Sequence, residues 1–344
     1  MLLLLAVGGC RDVEAPSASG VSPRLSPGSL PKPRSLAFVS NRDGNDEIYR
    51  ILEDGTGLTR LTFNAAAESQ PAWSPDGKRL AFVRGSSGTT QIYVMNGDGS
   101  AQTNLSNSPY SDRRPVWSAD GTKILFERNL ATIWFSNWEV YAMNADGSGQ
   151  VNLSKSMAVD SSAGWSPTGG QVVFVSTRDG NREIYKINAD GTGLVNLTQN
   201  ALDDSGPDWS PNGQTIAFVR KTPDPRLYTM TAGGGAQAEL NPGVQDATRA
   251  RWSPSGSALL VQDHGDARVM VLGADGSNLH VALEAINGLA QATWSPSGTL
   301  IALWSWWPCG KDDCRGIRTV SPKGGQPTIV TNHPYASSGD DWSP

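Results

Sequence analysis

The sequence predicts an all-β fold: a seven-bladed β-propeller of four-stranded antiparallel blades. Three observations carry this reading. A tryptophan opens the same phrase seven times, at Trp73, Trp117, Trp165, Trp209, Trp252, Trp294 and Trp342, as Trp-Ser-Pro or, at Trp117, Trp-Ser-Ala. The copies stand 42 to 48 residues apart, the period of a unit of four short strands stacked many times. Between copies, the same order of strand-forming runs and turn signals returns.

One unit, from Pro71 to Ser106, shows the pattern. It reads PAW, then Pro-Asp-Gly, RLAFV, Gly-Ser-Ser-Gly, QIYVM, Gly-Asp-Gly and finally the run TNL. The Asp-Gly steps supply the positive φ of tight hairpins, so the four runs form a meander, labelled A to D from the tryptophan strand outward. Strands B and C are nearly continuous in apolar residues, as expected where neighbouring blades cover both faces. The Asp-Gly pairs lack the further carboxylates of a calcium loop and are read as turns. Asn104, Asn152 and Asn196 recur at one position of strand D and are read as structural punctuation rather than glycosylation acceptors.

The two ends fix the blade number. Residues 35–62 supply strands B, C and D with no tryptophan strand before them, and the C-terminal GDDWSP supplies a tryptophan strand with nothing after it. Pairing them, with Trp342 next to Phe38, closes the ring and removes its open edges. Six complete units and this composite make seven blades. The composite is counted as blade 1, and the units opening at Trp73 to Trp294 as blades 2 to 7.

Ahead of the repeats, residues 1–9 are mostly apolar (MLLLLAVGG) and too short to span a bilayer, which suits the core of a signal peptide. The segment Val7-Gly8-Gly9-Cys10 resembles a bacterial lipobox, which implies lipidation at Cys10. Residues 10–34 are rich in Ser, Pro, Ala and Gly and read as a flexible tether, leaving 35–344 for the propeller. Cys309 and Cys314 lie close enough to close a small loop, and with no second Cys or His pair beside them a disulfide is expected rather than a zinc site. The net charge of −5 is spread along the chain with no basic stripe, so nucleic acid is not an expected partner.

The phrases Trp-Ser-Pro-Asp-Gly, Leu-Ala-Phe-Val, Ile-Tyr-x-x-Asn-x-Asp-Gly and Asn-Leu-Thr resemble the WD40-like repeats of the TolB propeller family, in register over residues 35 to 344. The resemblance implies an exported propeller lipoprotein of the bacterial cell envelope, periplasmic or at the cell surface and held to a membrane by its N-terminus. TolB itself has six blades and a preceding α/β domain, so a relative of TolB is implied rather than TolB.

In a meander blade, the B–C hairpins and the D–A crossovers share one face of the disc. Two B–C insertions, RNLATIWFSNW in blade 3 and SWWPCGKDDCRG in blade 7, therefore bring Trp134, Phe135, Trp138, Trp306 and Trp307 to one surface. The crossovers add Glu68, Asp112, Arg113, Arg114, Asp160, Asp204, Arg249, Asp340 and Asp341. Aromatics beside charges make a docking surface for a protein or peptide, with Trp134, Phe135, Trp138, Trp306, Trp307, Arg113, Arg114, Asp340 and Asp341 as its expected contacts. A carbohydrate-binding or carbohydrate-processing propeller, using the tryptophans as stacking platforms, is the alternative.

Catalysis finds little support. His264, His280 and His333 occupy unrelated repeat positions, with no His-x-x-x-His pair and no Gly-x-Ser-x-Gly elbow. Asp208, Arg251 and Asp341 sit just before blade tryptophans near the axis, where Arg251 breaks any ring of carboxylates, so no metal is assigned. The expected protein is a monomeric, non-catalytic binding scaffold without cofactor.

Overall fold

The computed structural model describes residues 34–86, 89–131, 137–263, 267–284, 289–309, 312–331 and 336–342, the backbone alone for residue 86, for 289–291, for the outer part of the blade 7 hairpin and for the last strand. They form seven four-stranded sheets, each in the order A-B-C-D. Blade 1 pairs residues Ala336–Trp342 with Ser35–Ser40, Glu47–Leu52 and Thr59–Arg60, so the closure joins the two ends of the repeat region. The register partner of Trp342 is Leu36, two residues short of the expected neighbour Phe38.

The core lies in the joints between blades. Among the described residues, seven apolar clusters each draw on two neighbouring blades. One holds Ala37, Ile48 and Leu61 of blade 1 with Trp73, Leu80 and Phe82 of blade 2, and another holds Leu36, Phe38 and Tyr49 of blade 1 with Ala302 and Ile317 of blade 7. The alternation of strand B explains this arrangement, because its odd and even side chains serve the joints on opposite sides of the same sheet. Leu80 and Phe82 face one joint while Ala81 and Val83 face the other.

The repeated tryptophan pins each blade to the one before it. The indole Nε1 of Trp117 donates to the Ala72 carbonyl (3.0 Å), Trp165 to Val116 (3.1 Å), Trp252 to Asp208 (3.2 Å) and Trp294 to Arg251 (3.1 Å). The acceptor each time is the residue just before the previous tryptophan, and Trp209 departs from the pattern, its buried Nε1 having no partner. The Ser of the same phrase closes the A–B turn: the Ser74 hydroxyl donates to Asp76 (2.7 Å) and accepts from the Arg79 amide (2.9 Å).

The C–D turns are built by their aspartates. Asp98 Oδ1 accepts from the amide and the hydroxyl of Ser100 (2.9 and 2.6 Å), and Asp54, Asp146, Asp190 and Asp275 repeat the arrangement. Gly99 takes the left-handed conformation there (φ 89°), and a Cβ would meet the Leu61 carbonyl at 2.7 Å. Asn104, Asn152 and Asn196 each accept the amide three residues on, at Asn107, Lys155 and Gln199, which shapes the turn after strand D. No helix among the described residues is long and apolar enough to cross a membrane.

Candidate functional site

Strand A lines the axis, and its register slips at the same place in four consecutive blades, between Ser69/Ala72, Arg113/Val116, Ser161/Gly164 and Ser205/Asp208. The residue three before the tryptophan takes a positive φ in each: Gln70 (52°), Arg114 (55°), Ser162 (55°) and Gly206 (60°). Bulges of this kind re-aim side chains, and three of these four residues carry a Cβ where the conformation is unfavourable. The bulged backbone is secured from the neighbouring blade. Gln70 Oε1 accepts the Arg114 amide (2.7 Å), and Glu127 Oε1 accepts the Ser162 amide (2.7 Å).

Around this bend lies a cleft of about 430 Å³, opening on the face of the B–C hairpins and walled by Arg113, Arg114, Ser161, Ser162, Arg182 and Ser205. The buried Glu127 anchors two of its arginines, accepting from Arg113 Nε (2.7 Å) and Arg114 Nη1 (3.2 Å). The Arg113 guanidinium also lies over the Trp138 ring, 3.5 Å from its centroid. Deeper in the channel, Arg251 Nη1 donates to Asp208 Oδ1 (2.7 Å), whose other oxygen accepts the Trp252 amide (2.8 Å). Arg249 sits beside Arg251, and the like charge together with burial pushes its guanidinium down to about 9.

The expected contacts divide accordingly. Arg113, Arg114 and Trp138 come together at the cleft. Trp134 and Phe135 lie outside the described residues, as do Cys10, His264 and His333 and the signal-peptide and tether assignments. The strand carrying Asp340 and Asp341 is described, but their side chains are not. The described part of the blade 7 insertion is strand rather than loop. Strands B and C run on through it as Ile301–Cys309 and Asp312–Val320, paired rung by rung from Ile301 opposite Val320 to Cys309 opposite Asp312. Trp306 and Trp307 belong to this ribbon, where an aromatic-rich run favours pairing over a loose excursion. Cys314 stands opposite Trp307, so the two cysteines occupy separate rungs, and their side chains lie outside those described.

Four of the crossover charges are not on the surface. Glu68, Asp112, Asp160 and Asp204, each five residues before a tryptophan, are fully buried. Each is met by an arginine beyond the apolar core of strand B: Arg84 (2.7 Å), Arg128 (2.7 Å), Arg178 (3.3 Å) and Arg220 (2.8 Å). Arg128 and Arg220 bind both carboxylate oxygens. The same arginines stack on the Tyr of strand C, at 4.5 to 4.8 Å from Tyr93, Tyr141, Tyr185 and Tyr228. Burial raises the Asp160 carboxyl above its ordinary value, with Ser176 and Arg178 opposing. These acids brace the rim from within and cannot serve as docking contacts.

The two ring nitrogens of His280 each lie 2.8 Å from a backbone carbonyl, Nδ1 from that of Asn278 and Nε2 from that of Pro322. Among the described residues no group of three or more His, Cys, Asp or Glu side chains is placed to hold a metal.

Comparison with known proteins agrees with this architecture. The fold resembles TolB from Acinetobacter baumannii (16% identity, 91% of this chain and 67% of that one, TM-score 0.56). It also resembles an oligogalacturonate lyase from Vibrio parahaemolyticus (14%, 83% and 86%, TM-score 0.67) and a puromycin-hydrolyzing peptidase from Mycobacterium tuberculosis (14%, 88% and 52%, TM-score 0.69). The chain thus spans about half the length of that peptidase. No curated protein matches the sequence. The family model of the TolB beta propeller domain matches residues 4–157 and 135–298, and with the recurring phrases and the bladed fold in agreement, the chain belongs to the TolB beta propeller family.

Proposed function

We propose that the protein is a non-catalytic scaffold of the bacterial cell envelope that docks a protein or peptide on the face carrying the B–C hairpins. The observation behind this reading is the cleft at the channel mouth, a concave surface of arginines, hydroxyls and the two valines Val159 and Val175, held on strained, cross-braced backbone. Preorganised surfaces of this kind lower the ordering cost of binding. Membership of the TolB propeller family supports a binding role in general. The described histidine, His280, is held by backbone carbonyls with no nucleophile bonded to it, which favours binding over chemistry. The guanidinium of Arg113 covers a face of Trp138, which leaves less of that ring for sugar stacking.

Lipidation at Cys10 would hold the propeller at a membrane. Radiolabelled palmitate incorporated by the wild type and lost on Cys10→Ala supports the anchor, and unchanged labelling removes it. For docking, affinity purification from membranes should recover a protein with the wild type and much less of it with Trp138→Ala, Trp134→Ala or Trp306→Ala. Equal recovery by all four proteins would remove this face from the reading.

A further inference from the structure

The channel layer three and four residues before the tryptophans is unevenly charged. Blades 4 and 5 contribute the small side chains Ser161, Ser162 and Ser205 and the bare Gly206, and the flanking blades contribute Arg113 and Arg114 on one side and Arg249 on the other. Space is therefore left between two guanidinium-bearing walls.

The local carboxylates among the described side chains are already engaged. Glu127 accepts from Arg113, Arg114 and the Ser162 amide. Asp208 accepts from Arg251 and the Trp252 amide. The Arg249 guanidinium, by contrast, has no hydrogen bond or ion pair to a described residue: Arg251 and Arg114 repel it, and Asp208 attracts it from a distance. Arg182 is exposed at the outer wall of the cleft, and its guanidinium likewise meets no carboxylate among the described residues. Among the described side chains, four guanidiniums, Arg113, Arg114, Arg249 and Arg251, share two carboxylates in a chain whose net charge is −5. Holding like charges together in a half-buried channel is unfavourable until an anion enters, and the depressed affinity of Arg249 for its proton points the same way.

We infer that the channel mouth between blades 3 and 6 is a carboxylate-binding site that takes an acidic group of the docked peptide between Arg114 and Arg249. The site rests on the docking reading above and names the chemistry of its partner. The hydroxyls of Ser161, Ser162 and Ser205 line the cleft as neutral donors, and Gly206, whose added Cβ would meet only the Thr248 carbonyl at 3.9 Å, leaves the passage open. A carboxylate suits this wall because a guanidinium binds it through two parallel hydrogen bonds.

The test uses three fluorescein-labelled peptides: hexaglutamate with an amidated C-terminus, hexaglutamine with an amidated C-terminus, and hexaglutamine with a free one. Fluorescence anisotropy should show hexaglutamate binding at least about tenfold tighter than amidated hexaglutamine, in line with a charge-assisted bond. Preference for the free-acid hexaglutamine over its amide would instead identify the terminal carboxylate as the group bound. Arg249→Ala and Arg114→Ala should each weaken the preferred peptide about tenfold, with Arg249→Lys retaining part of the affinity. Lys78→Ala, on the opposite face, should change nothing. Arg249→Ala should melt no lower than the wild type, since it relieves repulsion, so lost binding would not reflect lost folding. Indifference among the three peptides, or equal effects of Arg249→Ala and Lys78→Ala, overturns the site. If membranes still yield a partner with the Arg114→Ala/Arg249→Ala variant, docking stands and the carboxylate site falls. If the peptide binds through Arg249 but no protein is recovered, the site stands and protein docking falls.

Discussion

Glu47 and Glu68, contributed by adjacent blades, meet at the joint between blades 1 and 2, where neither is exposed to solvent and each keeps one buried oxygen, Oε2, that no donor among the described residues satisfies. Two carboxyl groups bond only if one keeps its proton. Burial, then the contact with Glu47, pushes Glu68 up to about 7. Burial opposes ionisation of Glu47 as well, but bonds from Glu68, Thr62 and Arg60 hold it below its ordinary value. The pair therefore carries one proton near neutrality.

This proton makes stability depend on pH. The folded state holds it where unfolded Glu68 would release it, so its contribution is complete below about pH 4.5 and is lost as pH rises through about 7. The melting temperature of the wild type should fall, relative to Glu68→Gln, between pH 5 and pH 8. Parallel curves for the two proteins would show that the pair does not titrate in this range.

The indole pins give a graded prediction. Trp117→Ala removes a buried ring and should cost about 3–5 kcal/mol in chemical denaturation. Trp117→Phe keeps most of the apolar area but orphans the Ala72 carbonyl, for about 1 kcal/mol more than the packing change alone. Trp209→Phe should be milder than Trp117→Phe, because the Trp209 Nε1 makes no bond to lose. Equal costs at the two positions would mean that the indole bond contributes nothing.

The buried pairs make a sharper contrast. Arg220→Met leaves Asp204 uncompensated in the interior and should destabilise by about 3–5 kcal/mol. Adding Asp204→Ala should restore most of that loss, since an apolar pair of fitting volume is nearly neutral. A double-mutant cycle by urea denaturation measures the coupling, and additive losses would rule the interpretation out.

Removing residues 336–344 should leave the Ser35–Ser40 strand paired on one side only, exposing backbone donors and acceptors along an otherwise buried apolar strand. Aggregation at concentrations where the intact protein stays dispersed is the expected outcome in size-exclusion chromatography. A truncated protein that remains compact and dispersed would mean that the closing pair is dispensable.

The architecture was legible because each blade is written in local chemistry. Ser74 and Asp76 close a turn within their own phrase, and Asp98 needs only Ser100 two residues away. The buried acids were misread because Asp204 finds its partner sixteen residues on, across the A–B pair. A clue lay within the repeats: blades 2, 3 and 5 carry both an acid five residues before the tryptophan and an arginine after the apolar run of strand B, whereas blade 7 has Leu289 and Ser305 there. The grouping of Arg114 with Arg249 left no such trace, since they stand three blades apart and approach only once the sheets surround an axis. The extended ribbon of blade 7 was hidden by its Pro308 and its cysteines, which suggest a loop although the residues around them pair as strand.

The pairing of Leu36 with Trp342 also has a kinetic side. The partners are some 300 residues apart in the chain, whereas the other strands of blade 1 pair with near neighbours. Closing so long a loop costs about 3 kcal/mol more entropy than closing a hairpin of about ten residues. Blade 1 should accordingly be the last to assemble and the first to exchange its amide protons, a seam set opposite the arginine-lined blades 3 to 6. Fluctuations that open the ring can then begin at the seam while the cleft keeps its shape.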